Sequence, residues 1–270
     1  RAAAAGTVLK PSGGNCAVLP NGTIRGKITM FTTVLFDLDG TISQSEPGIL
    51  NCIRYALDAA GLPEPSEKVL KTFIGPSLYD SFTSKCHVDH DQALWLVDKY
   101  RERYNVTGLY ETSIYDGIPQ TLKDLKEKGA KIGVATSKPT EPTKKILAKF
   151  DLAQYFDVVV GSNPDGTGSD KQVLIAECLK RLKEADAEGT DMPQADREEA
   201  VMMDDSKPEV KTQIHEKDAI MIGDRMFDID GGHACGIDTV GVLYGYGNRE
   251  EFEKAGAEYI ISCPEELLTL

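Results

Sequence analysis

Six short apolar runs limit the folds open to this chain: Thr33-Val34-Leu35-Phe36, Ile132-Gly133-Val134-Ala135, Val158-Val159-Val160, Ala219-Ile220-Met221-Ile222, Thr239-Val240-Gly241-Val242 and Tyr259-Ile260-Ile261. They are rich in branched residues and too short for helices, and from Tyr115 onward helical patterns separate them. Strands that are apolar throughout must be covered on both faces. The runs therefore predict an α/β fold, a Rossmann-like doubly wound parallel sheet with helices on either side. A chain of 270 residues is long enough to bury such a core. Ligands of such sheets bind beyond the carboxyl ends of the strands, so the residues after each run carry the functional signal.

After the first run come Asp37-Leu38-Asp39-Gly40-Thr41. Burying one ionised carboxylate requires a partner, and burying two requires a cation. Gly40 lets the backbone turn sharply and brings amides close to a ligand. A carboxylate nucleophile, a second carboxyl for proton transfer, a metal and an anion nest are the parts that phosphoryl transfer through an aspartyl-phosphate needs. The second run ends in Thr136-Ser137-Lys138, and a helix opens near Lys171 after the third. The fourth ends in Gly223-Asp224-Arg225-Met226-Phe227-Asp228. Thr136 also reads as a plain strand-end cap, Lys171 as an exposed helix lysine with Lys138 its rival, and Asp228 as a helix cap.

Between the first run and Tyr115 the pattern is helical. Pro47 suits a first helical position, and Ile49, Leu50, Ile53, Ala56 and Leu57 share a face before Gly61. A second stripe holds Ala93, Leu94, Val97, Tyr100 and Tyr104. Phe73-Ile74-Gly75-Pro76 interrupts the pattern, and Gly75 and Tyr79 either shape a substrate or belong to a plain interhelical turn. Residues 47–113 are expected to be an all-helical insert without strands, moving on hinges near Gln44-Ser45-Glu46 and Thr112-Ser113-Ile114. The catalytic core is then 30–46 plus 114–270, with an acidic insertion over 183–217 carrying a short helix near Asp196 to Met203. Residues 1–29, with their Ala tract, read as an extension ahead of a start at Met30, with a short hairpin over 17–25 or disorder.

The net charge of −13 disfavours nucleic acid and anionic membrane as partners. No apolar stretch has the length of a membrane span. The six cysteines, Cys16, Cys52, Cys86, Cys178, Cys235 and Cys263, are scattered, which suggests reduced, buried thiols in a cytoplasmic protein. His87 and His90 lack a third ligand pattern and read as surface residues.

The motifs Asp-Leu-Asp-Gly-Thr, Thr136-Ser137, Lys171 and Gly-Asp-Arg-Met-Phe-Asp, in this order, resemble those of the haloacid dehalogenase-like (HAD) phosphohydrolases. The helical insert after the first motif, with Phe73-Ile74-Gly75-Pro76, Asp116-Gly117-Ile118-Pro119, Asp165-Gly166-Thr167 and Gly245-Tyr246-Gly247, resembles the helical cap of the phosphoglycolate phosphatase-like branch. The resemblance covers roughly residues 31–270; residues 1–29 and 183–217 depart from it. It implies a HAD-like core with a helical cap domain, and a magnesium-dependent (Mg2+) phosphatase of small phosphorylated metabolites, a phosphoglycolate-like acid or a nucleoside monophosphate. Asp37 is then the nucleophile and Asp39 the general acid and base. Thr136 binds phosphoryl oxygens and Lys171 neutralises them. Gly40, Thr41, Ser137, Lys138, Gly75 and Tyr79 contact the phosphate or substrate. Asp37, Asp39, Asp224 and Asp228 form the metal site, Asp39 through its carbonyl and Asp228 by orienting Lys171 or a metal-bound water. Members acting on carbon–halogen or carbon–phosphorus bonds, or pumping ions, lack an acid at the position of Asp39, which points to phosphate esters. A sugar phosphomutase uses the same residues and is the alternative; a non-catalytic binding module is the third reading. The partner expected is a small-molecule phosphate ester, bound to a monomer or homodimer.

Overall fold

Alternation within the strands sets the layers, because successive side chains of a strand point to opposite faces. In the computed structural model, which describes residues 31–164, 166–187 and 218–270, β1 (Thr33–Phe36) turns Val34 and Phe36 to one face and Leu35 to the other. β1 sits in the middle of a six-stranded sheet. The order across it is β5 (Val158–Ser162), β4 (Lys131–Pro139), β1, β6 (Ala219–Gly223), β7 (Asp238–Val242), β8 (Tyr259–Ile261). Every neighbouring pair is parallel, so the α/β doubly wound core expected from the six runs is what forms. The chain builds outward from β1 to β5, then returns to the other side of β1 with β6. The connections diverge at the β1/β6 boundary, which opens a crevice at the carboxyl ends of the central strands.

On one face Leu35, Ala135, Val160 and Met221 pack with Leu174, Ile175, Cys178, Leu179 and Leu182 of α7 (Lys171–Ala187). α8 (Met226–Ala234) lies beside α7, with Gly231 against Ile175 and Gly232 against Met221. On the other face Val34, Phe36, Ile132, Val134, Ile220 and Ile222 pack with Leu122 and Leu125 of α5 (Ile118–Glu127) and with Ile146 and Leu147 of α6 (Thr140–Lys149).

Between β1 and α5 lie four helices: α1 (Glu46–Ala59), α2 (Glu67–Lys71), α3 (Leu78–Cys86) and α4 (His90–Tyr104). Pro47 falls in the first turn of α1, which buries Ile49, Leu50, Ile53, Ala56 and Leu57. In α4 Ala93, Val97, Tyr100 and Tyr104 are buried, whereas Leu94 is 47 % exposed. One residue on a helix turns the side chain by about 100°, which carries Leu94 off the buried stripe. One apolar cluster runs from the sheet through Leu38 and Ile42 into these helices.

The two chain crossings lie side by side. β2 (Ser43–Gln44) pairs antiparallel with β3 (Ser113–Ile114). The expectation of a strand-free 47–113 therefore fails at its last residue, Ser113. Adjacent crossings pair backbone groups that would otherwise lack partners.

Further differences are local. α7 continues to Ala187, so the acidic insertion expected over 183–217 begins within this helix. The rest of that stretch, its short helix, Asp165 and everything expected of residues 1–30 lie outside the described residues. Cys52, Cys86, Cys178 and Cys235 are free thiols, but Cys263 is disulfide-bonded, which corrects the expectation that all six are reduced. His87 and His90 are exposed. Among the described residues no helix is long and apolar enough to cross a membrane.

Gly133 marks how closely α7 sits on β4. A Cβ there would meet Cys178 Sγ at 2.5 Å and Leu35 Cδ2 at 2.9 Å. Gly133→Ala should destabilise the protein by about 1–3 kcal/mol through overpacking, read as a shifted urea midpoint with an unchanged slope. An unchanged midpoint would mean that α7 is not seated on β4 as described.

Candidate active site

The site begins where β1 runs out. Asp37 N still donates to Ile222 O (2.9 Å), which continues the β1/β6 ladder by one residue. The chain then folds back on itself: Gly40 N donates to Ser43 O (2.8 Å), and Ile42 N and Ser43 N both donate to Leu38 O (2.9 Å each). Gly40 has φ of +90°, and a Cβ there would overlap the Asp224 carboxylate. The turn thus seats the loop directly on the end of β6.

From β6, Asp224 enters this junction fully buried. Tyr246 N donates to its Oδ2 (2.9 Å), while its Oδ1 is buried without a hydrogen-bond partner. Burial first, then the Asp228 and Asp37 charges, push the Asp224 carboxyl well above the ordinary carboxylate range. Asp228, at the start of α8, accepts from Arg225 N through Oδ2 (3.1 Å). Its carboxyl is pushed up to about 6, chiefly by burial, with the Lys171 charge working against that rise. Carboxylate oxygens of Asp37, Asp224 and Asp228 lie within 4.8 Å of one another.

Two buried lysines meet the acids. Lys171, at the start of α7, puts Nζ 2.9 Å from Asp37 Oδ1 and 2.8 Å from Asp228 Oδ1, and donates to Ala135 O (3.1 Å). Burial works against its charge, but Asp228 and Asp37 outweigh it and hold the ammonium protonated. Lys138 reaches inward because the register of β4 against β5 shifts between Thr136 and Pro139. Its Nζ donates to Asp39 Oδ2 (2.6 Å) and stands 5.0 Å from the Tyr104 ring centre. There too burial is outweighed, first by Asp39 and then by Tyr104, and the ammonium stays charged. The expected rivalry between the two lysines is resolved by a division: each serves a different aspartate.

Three close carboxylates face one ammonium at Lys171, which leaves the cluster negative. An all-oxygen, negative cluster with an orphaned buried oxygen on Asp224 fits a hard cation of Mg2+ or Ca2+ type. Without a cation, such a cluster is costly to bury.

A cavity of about 750 Å³ opens over these groups. Asp37, Asp39, Thr136, Ser137, Lys138, Lys171 and Asp228 line it from the sheet side of the chain, and Gly75 and Tyr79 line it from the helical segment. Thr136 is 2 % exposed, and its Oγ1 accepts from Lys138 N (3.3 Å). The Ser137 hydroxyl is engaged with Ser169 O (2.9 Å), and the Tyr79 hydroxyl with His90 Nδ1 (2.7 Å). Gly40 and Thr41 do not line the cavity: Gly40 is the spacer against Asp224, and Thr41 is fully buried. Nor does Asp224 line the cavity.

Sequence reasoning missed three groups at the site. Tyr104 was visible only as part of an apolar stripe, yet it stands over Lys138. Tyr246, whose amide holds Asp224, also accepts from Glu46 N through its hydroxyl (2.9 Å). Its signal was the Gly245-Tyr246-Gly247 sequence, in which a Cβ at Gly245 would overlap Asp224. Arg225 lay inside the Gly-Asp-x-x-x-Asp motif, but the spacing assigns it nothing.

The sequence profile of the haloacid dehalogenase-like hydrolases matches residues 34–212, and a HAD-hydrolase-like profile matches 179–263. A 5'-nucleotidase of Pseudomonas aeruginosa is 34 % identical over 228 residues, covering 84 % of this chain and 90 % of the relative. The tyrosine-protein kinase PtkA of Mycobacterium tuberculosis is 31 % identical over 227 residues, covering 84 % of this chain and 67 % of its own. A crystal structure described as a predicted phosphatase, from Clostridium acetobutylicum, superposes with a TM-score of 0.72 at 36 % identity, covering 88 % of this chain and 96 % of that one. With the profile spanning most of the chain and these likenesses in both sequence and structure, the chain belongs to the haloacid dehalogenase-like hydrolases, and it is an enzyme of the phosphatase kind.

Proposed function

We propose that this enzyme hydrolyses a small phosphate monoester through an aspartyl-phosphate on Asp37, with magnesium as its metal. The observation that carries the proposal is a pairing: Asp37 and Asp39 open onto one cavity, and each is held by its own buried lysine. Uncatalysed monoester hydrolysis needs accelerations of up to about 10²¹-fold, so several effects must combine.

In the first half-reaction an Asp37 carboxylate oxygen attacks phosphorus. The bond to the leaving oxygen breaks, and Asp39 gives that oxygen its proton. In the second, Asp39 takes a proton from water as the water oxygen attacks phosphorus, and the Asp37–phosphorus bond breaks. Lys138 fixes the direction of Asp39 during both transfers. Lys171 places fixed positive charge beside Asp37, where phosphoryl oxygens gather, and Asp228 holds Lys171 there. Thr136 and the amides around it supply donors to the same oxygens. Asp37, Asp224 and Asp228, with the Asp39 carbonyl, would hold the magnesium, which supplies positive charge against the phosphoryl group.

The cavity is larger than a phosphate requires and within the range of small-molecule sites. That supports a metabolite whose leaving group also sits inside, a phosphoglycolate-like acid or a nucleoside monophosphate. In this reading residues 47–113 are the cap that contacts the leaving group, and the core 30–46 plus 114–270 performs the chemistry. An assay over phosphometabolites with and without magnesium tests the reading. Free phosphate as product supports it. An isomerised phosphosugar would indicate a mutase instead, and no turnover with any phosphate ester would indicate a binding module.

Asp37→Asn should lower turnover by on the order of 10³-fold or more while the fold persists, since an amide is a poor nucleophile. Asp39→Asn should cost on the order of 10²- to 10⁴-fold with alkyl phosphates, and less with a good aryl leaving group that needs no proton. Near-normal turnover by Asp37→Asn would rule out the aspartyl-phosphate.

The acid cluster sets a pH dependence of stability. The folded carboxyls of Asp224 and Asp228 lie above their unfolded values, so they favour the fold fully below about pH 4, and this is lost as pH rises through about 6 for Asp228 and through the raised value of Asp224. Metal-free protein should therefore lose thermal stability between pH 5 and 8. Added magnesium should restore it at pH 8 and do little at pH 5, and Asp224→Asn should flatten both effects. A melting temperature indifferent to magnesium at pH 8 would sink the metal assignment.

A further inference from the structure

The reaction above leaves Arg225 without a role, although it follows Asp224 directly and lines the cavity. Its guanidinium is bonded on two sides. Nε donates to Glu251 Oε1 (3.0 Å), on α9 (Arg249–Ala255), and Nη1 donates to Ile74 O (3.1 Å), in the loop between α2 and α3. The same Glu251 oxygen accepts from Met226 N (2.8 Å), so the acid is itself fixed to the start of α8. The two side chains are 22 % and 16 % exposed, so solvent and salt screen the pair less than they would an exposed one. One planar fork thus ties the sheet side of the molecule to the backbone of the helical segment.

The loop receiving this bond is itself shaped for it. Gly75 adopts φ of +103°, which disfavours any side chain, and Pro76 fixes the next residue. Ser77 then caps α3. Lys85 Nζ holds Thr72 O (2.6 Å), which anchors the preceding turn within the segment. Among the described residues, the other hydrogen bonds of 73–77 stay inside the helical segment. Gly75, Pro76 and Ser77 line the same cavity as Asp37.

We propose that Arg225 is a positioning residue for substrate selection: held by Glu251, it grips the Ile74 carbonyl and so sets how far the Gly75-Pro76-Ser77 wall stands from the nucleophile. It donates to protein groups on both sides and is not a phosphate ligand in this arrangement. The proposal rests on the phosphatase reading for its kinetic consequence, but the joint exists independently of it. The residue one step along the chain from a metal-site acid thereby acts on the leaving group, through a main-chain carbonyl of the helical segment.

The test uses the full chain with magnesium and three probes: 2-phosphoglycolate, adenosine 5'-monophosphate and p-nitrophenyl phosphate. For whichever of the first two the wild type prefers, Arg225→Ala should raise KM about 10- to 100-fold, the worth of one charge-assisted hydrogen bond. Its kcat, and that for p-nitrophenyl phosphate, should stay within about threefold. Arg225→Lys should not rescue, because an ammonium cannot bridge both partners as the fork does. Gly75→Ala disturbs the joint from the helical segment, so its effect on KM should be less than additive with Arg225→Ala. Hydrogen exchange reads the joint without turnover: in Arg225→Ala the amides of 73–78 should exchange faster while those of β1 do not. Turnover of all three probes falling together, or unchanged KM with unchanged exchange over 73–78, would overturn the proposal. If the wild type hydrolyses no phosphate ester while Arg225→Ala still speeds exchange over 73–78, the phosphatase reading falls and the joint stands.

Discussion

The contact on which the site depends is the Lys171 ammonium between Asp37 and Asp228. A buried charge of either sign is expensive alone. Lys171 stands within 3 Å of a carboxylate oxygen on each of the two aspartates, and they in turn keep it protonated. The contact also joins three parts of the fold: the end of β1, the first turn of α7 and the first turn of α8. Those elements come from distant parts of the sequence and meet only because the sheet order places β4, β1 and β6 side by side. Removing the lysine would take from Asp37 and Asp228 the one ammonium that touches both, which is why packing and chemistry cannot be separated at this point.

Much of this was legible beforehand. Each of the six apolar runs is a strand of the sheet, because a buried parallel strand leaves an unmistakable apolar signature and its end must be polar. The aspartates were legible for a related reason. Asp37, Asp39 and Asp224 come within a few residues of the end of an apolar run, and no cheap structural role explains an acid there.

The remainder depended on side-chain direction and on distance in the sequence. Nothing in Thr136-Ser137-Lys138 says that a register shift turns Lys138 inward to Asp39. Gly40 looked like a phosphate nest, yet the structure uses its missing side chain as room for Asp224. Tyr104 belonged to a good apolar stripe, and only the fold shows that the stripe ends over the buried Lys138 ammonium. Leu94 departed from its stripe by a single helical step. Arg225 lies between two motif aspartates whose spacing assigns it nothing, and its partners Glu251 and Ile74 are remote in the sequence.

The small ladder of β2 and β3 has a consequence for how such a chain can change over time. Because Ser43 stands opposite Ile114, the helical segment leaves and rejoins the core at nearly one point. The core therefore sees the whole segment as a closed loop whose ends are already together. The entropy of closing a loop rises only with the logarithm of its length. A segment attached in this way can lengthen, shorten or be exchanged for another without moving β1, β4 or β6, so the reaction centre is insulated from the history of the element that covers it.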